Sequence, residues 1–187
     1  DFDALGDAEF DSLSGTGAGA IFGSTGGVME AALRTAYYIL NGKNPPEEFL
    51  NLTPVRGLES VREATVDLGA AKVTVAVIHG TKNAGRFIDT MKDDLYKYQF
   101  IEVMTCPGGC SGGGGQPKGY VIPGLTPPKK RVDLLYERDR QMEKRLSHEN
   151  PEIQSLYNEF LTSPCGELSH KLLHTSYKDR SGILKGE

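Results

Sequence analysis

The chain has 187 residues, 38% of them hydrophobic, which is enough to bury a core as one compact domain or one domain with an appendage. Its 21 Lys+Arg and 25 Asp+Glu nearly balance, so no overall field draws it to nucleic acid or anionic lipid. No apolar run approaches the roughly 20 residues of a membrane span, so neither a span nor a nucleic-acid partner is expected.

The chain opens at Asp1 without methionine, and Asp3, Asp7, Glu9 and Asp11 precede any apolar periodicity, the pattern expected of a fragment or a processed chain. Residues 12–27 are rich in Gly, Ser, Thr and Ala. Val28, Ala31, Ala32, Ala36, Ile39 and Leu40 then fall at helical spacing behind Thr25 as N-cap, so a glycine loop feeds a helix. Asn41-Gly42 stops that helix and Pro45-Pro46 keeps it stopped. Thr65–Leu68 and Val73–Ile78, joined at Gly69, read as a hairpin whose second strand is apolar enough to be buried on both faces.

Behind Thr81 as cap, Ala84, Phe87, Ile88, Met91 and Leu95 mark a helix face, and Phe100–Met104 reads as a strand. A strand, helix, strand unit of this kind makes its strands parallel, with ligands gathering beyond their carboxyl ends. That is where Cys106 begins. Prolines 123, 127 and 128 set a boundary near residue 125, and a charged helix with a basic excess follows from about Lys130 to Leu146. Asn150 and Pro151 open a further helix with Ile153, Leu156, Tyr157, Phe160 and Leu161 as its buried stripe; Ser163-Pro164 ends it, and His170 and His174 precede a polar tail.

The three cysteines, Cys106, Cys110 and Cys165, cannot make a disulfide framework, which favours a reducing compartment, the cytoplasm. Cys106 and Cys110 stand in Cys-Pro-Gly-Gly-Cys-Ser-Gly-Gly-Gly-Gly-Gln-Pro, immediately after a strand. Paired thiolates grip zinc or iron–sulfur clusters, and glycines admit a bulky inorganic group close to the backbone. Zinc wants four ligands, which the sequence does not obviously supply, and no Lys-Ser or Lys-Thr follows the glycines as a phosphate loop requires. Gly15 to Ala20 fits the dinucleotide fingerprint by chance, since no strand pattern precedes it. His170 and His174 lack a third ligand, and Cys165 is read as a bystander. The bases among Lys129, Lys130, Arg131, Arg138 and Arg140 offer two readings, a dock for an acidic electron carrier or, since they alternate with acids, a solvated helix face.

The stretch Phe100 to Pro117, FIEVMTCPGGCSGGGGQP, resembles the last of the three cysteine motifs of iron-only, or [FeFe], hydrogenases. Gly19 to Arg34, GAIFGSTGGVMEAALR, resembles the glycine loop and helix lining the same active site. The tail, LSHENPEIQSLYNEFL with GELSHKLLHTSY, is similar to the small-subunit-type segment that wraps the catalytic domain. The resemblance implies an α/β fold: a strand-helix-strand lobe of the H-cluster domain over residues 1–125, with a C-terminal helical wrap over 126–187. It implies an H-cluster, a 4Fe-4S cubane joined to a two-iron unit with carbon monoxide, cyanide and dithiolate ligands. By the same resemblance Cys106 binds the cubane, Cys110 binds it and bridges to the two-iron unit, and Met104, Phe22 and Gly23 wall the pocket. Dihydrogen is small and apolar, so such a pocket must be dry.

The implied activity is reversible oxidation of dihydrogen. The two earlier family motifs, with two further cubane cysteines and the proton relay, are absent, as are ferredoxin-like cysteine motifs; Thr105 stands where the family usually has alanine. The implied partners are therefore an N-terminal half carrying those groups with accessory iron–sulfur clusters, and ferredoxin or another redox carrier or subunit. The alternatives are a hydrogenase-like iron–sulfur assembly protein without the two-iron unit, and a hydrogen sensor of the same fold.

Overall fold

The computed structural model describes residues 4–6, 15–116, 127–180 and 182–183, which divide into two compact units between Asn150 and Pro151. The expected boundary near residue 125, and Pro117 at the end of the cysteine motif, lie outside the described residues.

The first unit contains α1 (Gly17–Ile21), α2 (Gly27–Asn41), β1 (Val61–Asp67), β2 (Lys72–His79), α3 (Thr81–Thr90), β3 (Phe100–Met104) and α4 (Pro127–Gln141). The hairpin forms as expected: β1 pairs antiparallel with β2 from Val61 opposite Ile78 to Asp67 opposite Lys72. Strand β3 joins the other edge of β2 in parallel, from Val75 beside Phe100 to His79 beside Met104. The sheet order is β1-β2-β3, with α3 as the crossover that parallel pairing demands.

Helix α2 lays Met29 and Leu33 against Val66, Leu68, Val75 and Val77 on one side of the sheet. Helix α3 lays Ala84 and Phe87 against Ala76, Ile78 and Tyr98 on the other. Strand β2 is thus covered on both faces, which explains its unbroken apolar run.

Several expected details are corrected. The residue before α2 is Gly26, left-handed at φ 88°, and Thr25 makes no cap there. Likewise Gly80 precedes α3, and Thr81 is its first helical residue. Strand β1 begins at Val61, four residues earlier than expected, and Ile88 on α3 is exposed. On α2, Ala32, Ile39 and Leu40 are also exposed. The buried face is turned instead toward Glu30 and Arg34, both fully buried, which an apolar-periodicity reading assigns to solvent.

Arg34 explains this. Its guanidinium donates to both carboxylate oxygens of Asp139 on α4 (2.9 and 2.9 Å), to Glu30 (2.8 Å) and to the Leu50 carbonyl (2.7 Å). Arg56 adds two bonds to Glu30, and Arg145 adds one to Asp139. Burial alone would raise the Asp139 pKa, but the hydrogen bonds from Arg34 and Arg145 hold it below its ordinary value. Helix α4 ends at Gln141 rather than Leu146 because the chain then turns, so that the Lys144 and Arg145 carbonyls accept the Gly17 and Ala18 amides at the start of α1.

The second unit contains α5 (Pro151–Leu156), a π-turn over Tyr157–Leu161, and α6 (Glu167–Leu173). Pro151 opens α5, as read. Of the expected stripe only Leu161 is buried, while Leu156 and Phe160 are exposed; the helix changes to π winding at Tyr157, which breaks the 3.6-residue period the stripe assumes. The His170 and His174 rings stack with centroids 4.2 Å apart. No helix among the described residues is long and apolar enough to cross a membrane.

Candidate functional site

The two thiols sit on a bend beyond the carboxyl end of β3, where strand polarity places ligands in parallel sheets. Cys106 is half-buried and Cys110 exposed, and both are free. The Gly109 amide donates to the Cys106 carbonyl (3.0 Å), and the Gly113 amide to that of Cys110 (3.0 Å). Between them Gly109 lies at φ 88°, ψ −162°, a conformation essentially closed to residues with a side chain. A Cβ on Gly109 would also stand 2.7 Å from the Thr25 nitrogen, and one on Gly113 would stand 3.1 Å from the Cys106 Sγ. Bare backbone is needed at both places, first for close approach of another segment and then to leave the sulfur accessible.

The segment that approaches is residues 23–26. The Thr25 amide donates to the Gly108 carbonyl (3.0 Å), and the Ser111 amide donates to the Gly23 carbonyl (2.8 Å). These reciprocal bonds join the two stretches that the sequence singled out. Phe22, half-exposed, directly precedes this seam. Gly23 lies under α4, where a Cβ would come 2.8 Å from Leu135 Cδ1. Met104, half-buried, is the last residue of β3 and stands beside His79 in register. The Arg131 guanidinium donates to the Ser111 carbonyl (2.7 Å), tying α4 to the bend.

Three supporting residues are missed by the sequence reading. Glu102 is the one buried residue of β3. Its carboxylate accepts the Gly26 and Met29 amides (2.6 and 2.7 Å), capping α2 from across the fold as a local Thr or Ser normally would. Burial pushes its pKa up, against the pull of those two amides and Arg62. Arg62 donates to the Thr25 hydroxyl and to the carbonyls of Val55, Gly57 and Glu59. His79 accepts the Gly108 amide on Nδ1 (3.3 Å). The signal for Glu102 and His79 is present in the sequence: Glu102 is the single polar residue of β3, and His79 is a polar residue closing the apolar run Val75–Ile78.

Other candidates separate from this site. The first amides of α1 are taken by carbonyls and a Cβ on Gly17 would overlap the Asp139 carboxylate, so the dinucleotide-like stretch offers no room for a phosphate. An open groove of about 520 Å³ runs between Arg56–Leu58 and α4, away from the thiols. Its cations Arg56, Lys129 and Arg140 are each paired with a carboxylate. Among the described residues no group of three or more His, Cys, Asp or Glu is placed to hold a metal ion. Cys165 is exposed in the second unit, at φ 57°.

A donor set of two unpaired thiols, unobstructed at Cys106 and open at Cys110, fits soft-metal or cluster ligation, and provides half of what a cubane requires.

Comparison with known proteins agrees with this chemistry. Residues 1–114 match the family model described as iron only hydrogenase large subunit, C-terminal domain, and residues 128–180 match iron hydrogenase small subunit. The NADP-reducing hydrogenase subunit HndD of Solidesulfovibrio fructosivorans is 44% identical over 185 residues, 98% of this chain and 31% of that protein. The cytosolic iron-sulfur assembly component 3 of Bos taurus is 31% identical over 155 residues, 83% of this chain and 31% of that protein. A solved structure of HydA(deltaEFG), described as revealing stepwise [FeFe]-hydrogenase H-cluster assembly, superposes with a TM-score of 0.65. It is 37% identical and covers 95% of this chain and 51% of that one. The chain therefore spans about a third of the length of these curated relatives.

Proposed function

The chain belongs to the iron-only hydrogenase family, as a C-terminal fragment of its catalytic domain followed by a small-subunit segment, and from that premise we propose that it forms one side of an H-cluster pocket in an enzyme that reversibly oxidises dihydrogen. The observation that carries the reading is the seam between the two motifs, the Thr25–Gly108 and Ser111–Gly23 hydrogen bonds. It brings a pair of free thiols and the proposed pocket wall into one framework.

In this reading Cys106 and Cys110 would hold the cubane, and Cys110 would also serve the two-iron unit. When bound, the group supplies the heterolysis of dihydrogen and the path for its electrons. The chain's own residues shape and dry the site. Phe22 and Met104 offer carbon and thioether surface where a hydroxyl or carboxylate would retain water. Gly109 permits the close approach of the two segments, Gly23 makes room for Leu135 of α4, and Gly113 leaves the Cys106 sulfur uncovered. Glu102 and Arg62 fix the turn between Phe22 and α2.

A cubane needs two further thiolates, which we assign to the companion N-terminal half of the catalytic subunit, together with the proton path and accessory clusters. Ferredoxin or another redox carrier or subunit then exchanges electrons with the assembly. Unpaired thiols fit a reducing compartment, and the cytoplasm is the proposed setting.

The second reading, an iron–sulfur assembly protein without the two-iron unit, is favoured by the likeness to the bovine assembly component. Metal analysis and infrared spectroscopy of the complete catalytic polypeptide separate the two. Iron together with bands of metal-bound carbon monoxide and cyanide is expected. Iron without those bands would select the assembly reading, and zinc, or a disulfide between Cys106 and Cys110, would overturn both.

A further inference from the structure

His79 ends β2 with all four of its polar groups engaged. Its amide donates to the Ser60 carbonyl (3.0 Å), and its carbonyl accepts the Asn83 side-chain amide (2.8 Å). Its Nε2 faces the Leu58 carbonyl (3.1 Å), and its Nδ1 faces the Gly108 amide (3.3 Å). The ring is buried, at 6% exposure. A backbone amide can only donate and a carbonyl can only accept, so these neighbours select one tautomer, with the proton on Nε2 and the lone pair on Nδ1. The ring therefore spans from the loop before β1 to the apex of the cysteine bend.

Gly108 lies two residues from each thiol. Its carbonyl is already committed to Thr25 and Ser111, so its amide is the remaining polar group able to reorient the apex. We infer that His79 is a positioning residue for the cluster-binding bend: by accepting the Gly108 amide on Nδ1, it fixes the apex and keeps that N–H from the sulfurs at either end. The second half of this inference rests on the cluster reading above; the first half does not. Hydrogen bonds to cluster sulfurs stabilise the reduced state and raise the reduction potential, so withholding a donor keeps the potential low.

Side-chain geometry supplies a discriminating test. The Oδ1 of asparagine is as many bonds from Cα as Nδ1 of histidine and can accept the Gly108 amide, whereas the terminal amide of glutamine lies one bond further out, level with Nε2. His79→Leu, His79→Asn and His79→Gln would be made in the complete catalytic polypeptide. Amide hydrogen exchange across residues 106–112 and the midpoint potential of the cubane are the two readouts. In His79→Leu the Gly108 amide should exchange faster by on the order of tenfold, the equivalent of one lost hydrogen bond, and the potential should move upward. His79→Asn should stay near the parent in both readouts, and His79→Gln should follow His79→Leu. If leucine at this position prevents folding, the Asn–Gln pair still decides, because the two differ in which ring nitrogen they replace. Parent-like exchange in His79→Gln, or loss of protection in His79→Asn, would overturn the inference. A parent enzyme lacking the carbon monoxide and cyanide bands would instead defeat the functional reading, with the exchange comparison still deciding the role of His79.

Discussion

Helix α2 serves two regions held together by opposite means. Its N-terminal end meets the cysteine bend through main-chain hydrogen bonds and glycines, and the charges used there, Glu102, Arg62 and Arg131, bind backbone groups. Its middle meets α4 through a buried ion network in which Arg34 joins Glu30 and Asp139. The region with the concentrated charge carries no proposed chemistry, and the region with the proposed chemistry has no ion pair at the thiols among the described residues. Strong electrostatics here marks a structural junction. The proposed site for an apolar gas is built instead from shape, small residues and placed amides.

The contrast can be broken most severely at the thiols. Cys110→Ser in the complete polypeptide should abolish turnover together with the infrared bands of metal-bound carbon monoxide and cyanide, while circular dichroism stays that of the parent. Retained turnover would remove the bend from the mechanism. Next in size is the junction: Arg34→Met leaves Glu30 and Asp139 buried with fewer partners, and should cost about 3–5 kcal/mol in denaturant titrations. Infrared band positions should not move at temperatures where the variant is folded, and a shift would mean that the two regions are coupled.

A smaller loss is expected at the seam. Gly109→Ala places a side chain at a strained backbone angle and against the Thr25 nitrogen, a cost of about 1–3 kcal/mol. Here, unlike at Arg34, iron retention should fall with stability.

The subtlest expectation is one of sign. Asp139, held below its ordinary 3.8, contributes stability that is present above that value and lost as pH falls through its lower folded value. Glu102, pushed above its ordinary 4.5 by burial, contributes stability that is full below 4.5 and lost as pH rises through its higher folded value. Denaturation midpoints between about pH 3 and pH 7 should therefore diverge. The deficit of Asp139→Asn shrinks below pH 3.8, whereas the parent's advantage over Glu102→Gln shrinks above pH 4.5. Parallel pH trends in the two variants would contradict this account of the two regions.

Much of this architecture is legible along the chain. Alternation and its loss mark the hairpin and the doubly covered β2, a helical period between strands marks the parallel crossover, and two cysteines among glycines after β3 mark the bend. The seam is half-legible: its two stretches can be recognised separately, but nothing local states that the Thr25 amide meets the Gly108 carbonyl. The capping of α2 is misread for the same reason. Local pattern favours Thr25, whereas Glu102 provides the cap from β3.

The sequence by itself thus determined the elements with a local period and the chemistry of the thiol pair, because periodicity and residue type are properties of neighbours along the chain. Tertiary structure alone decided that Glu30 and Arg34 turn inward, that Glu102 caps a distant helix, and that His79 reaches the cysteine bend. A buried polar group is stable only beside its partner, and here those partners arrive from strands and helices remote in the chain.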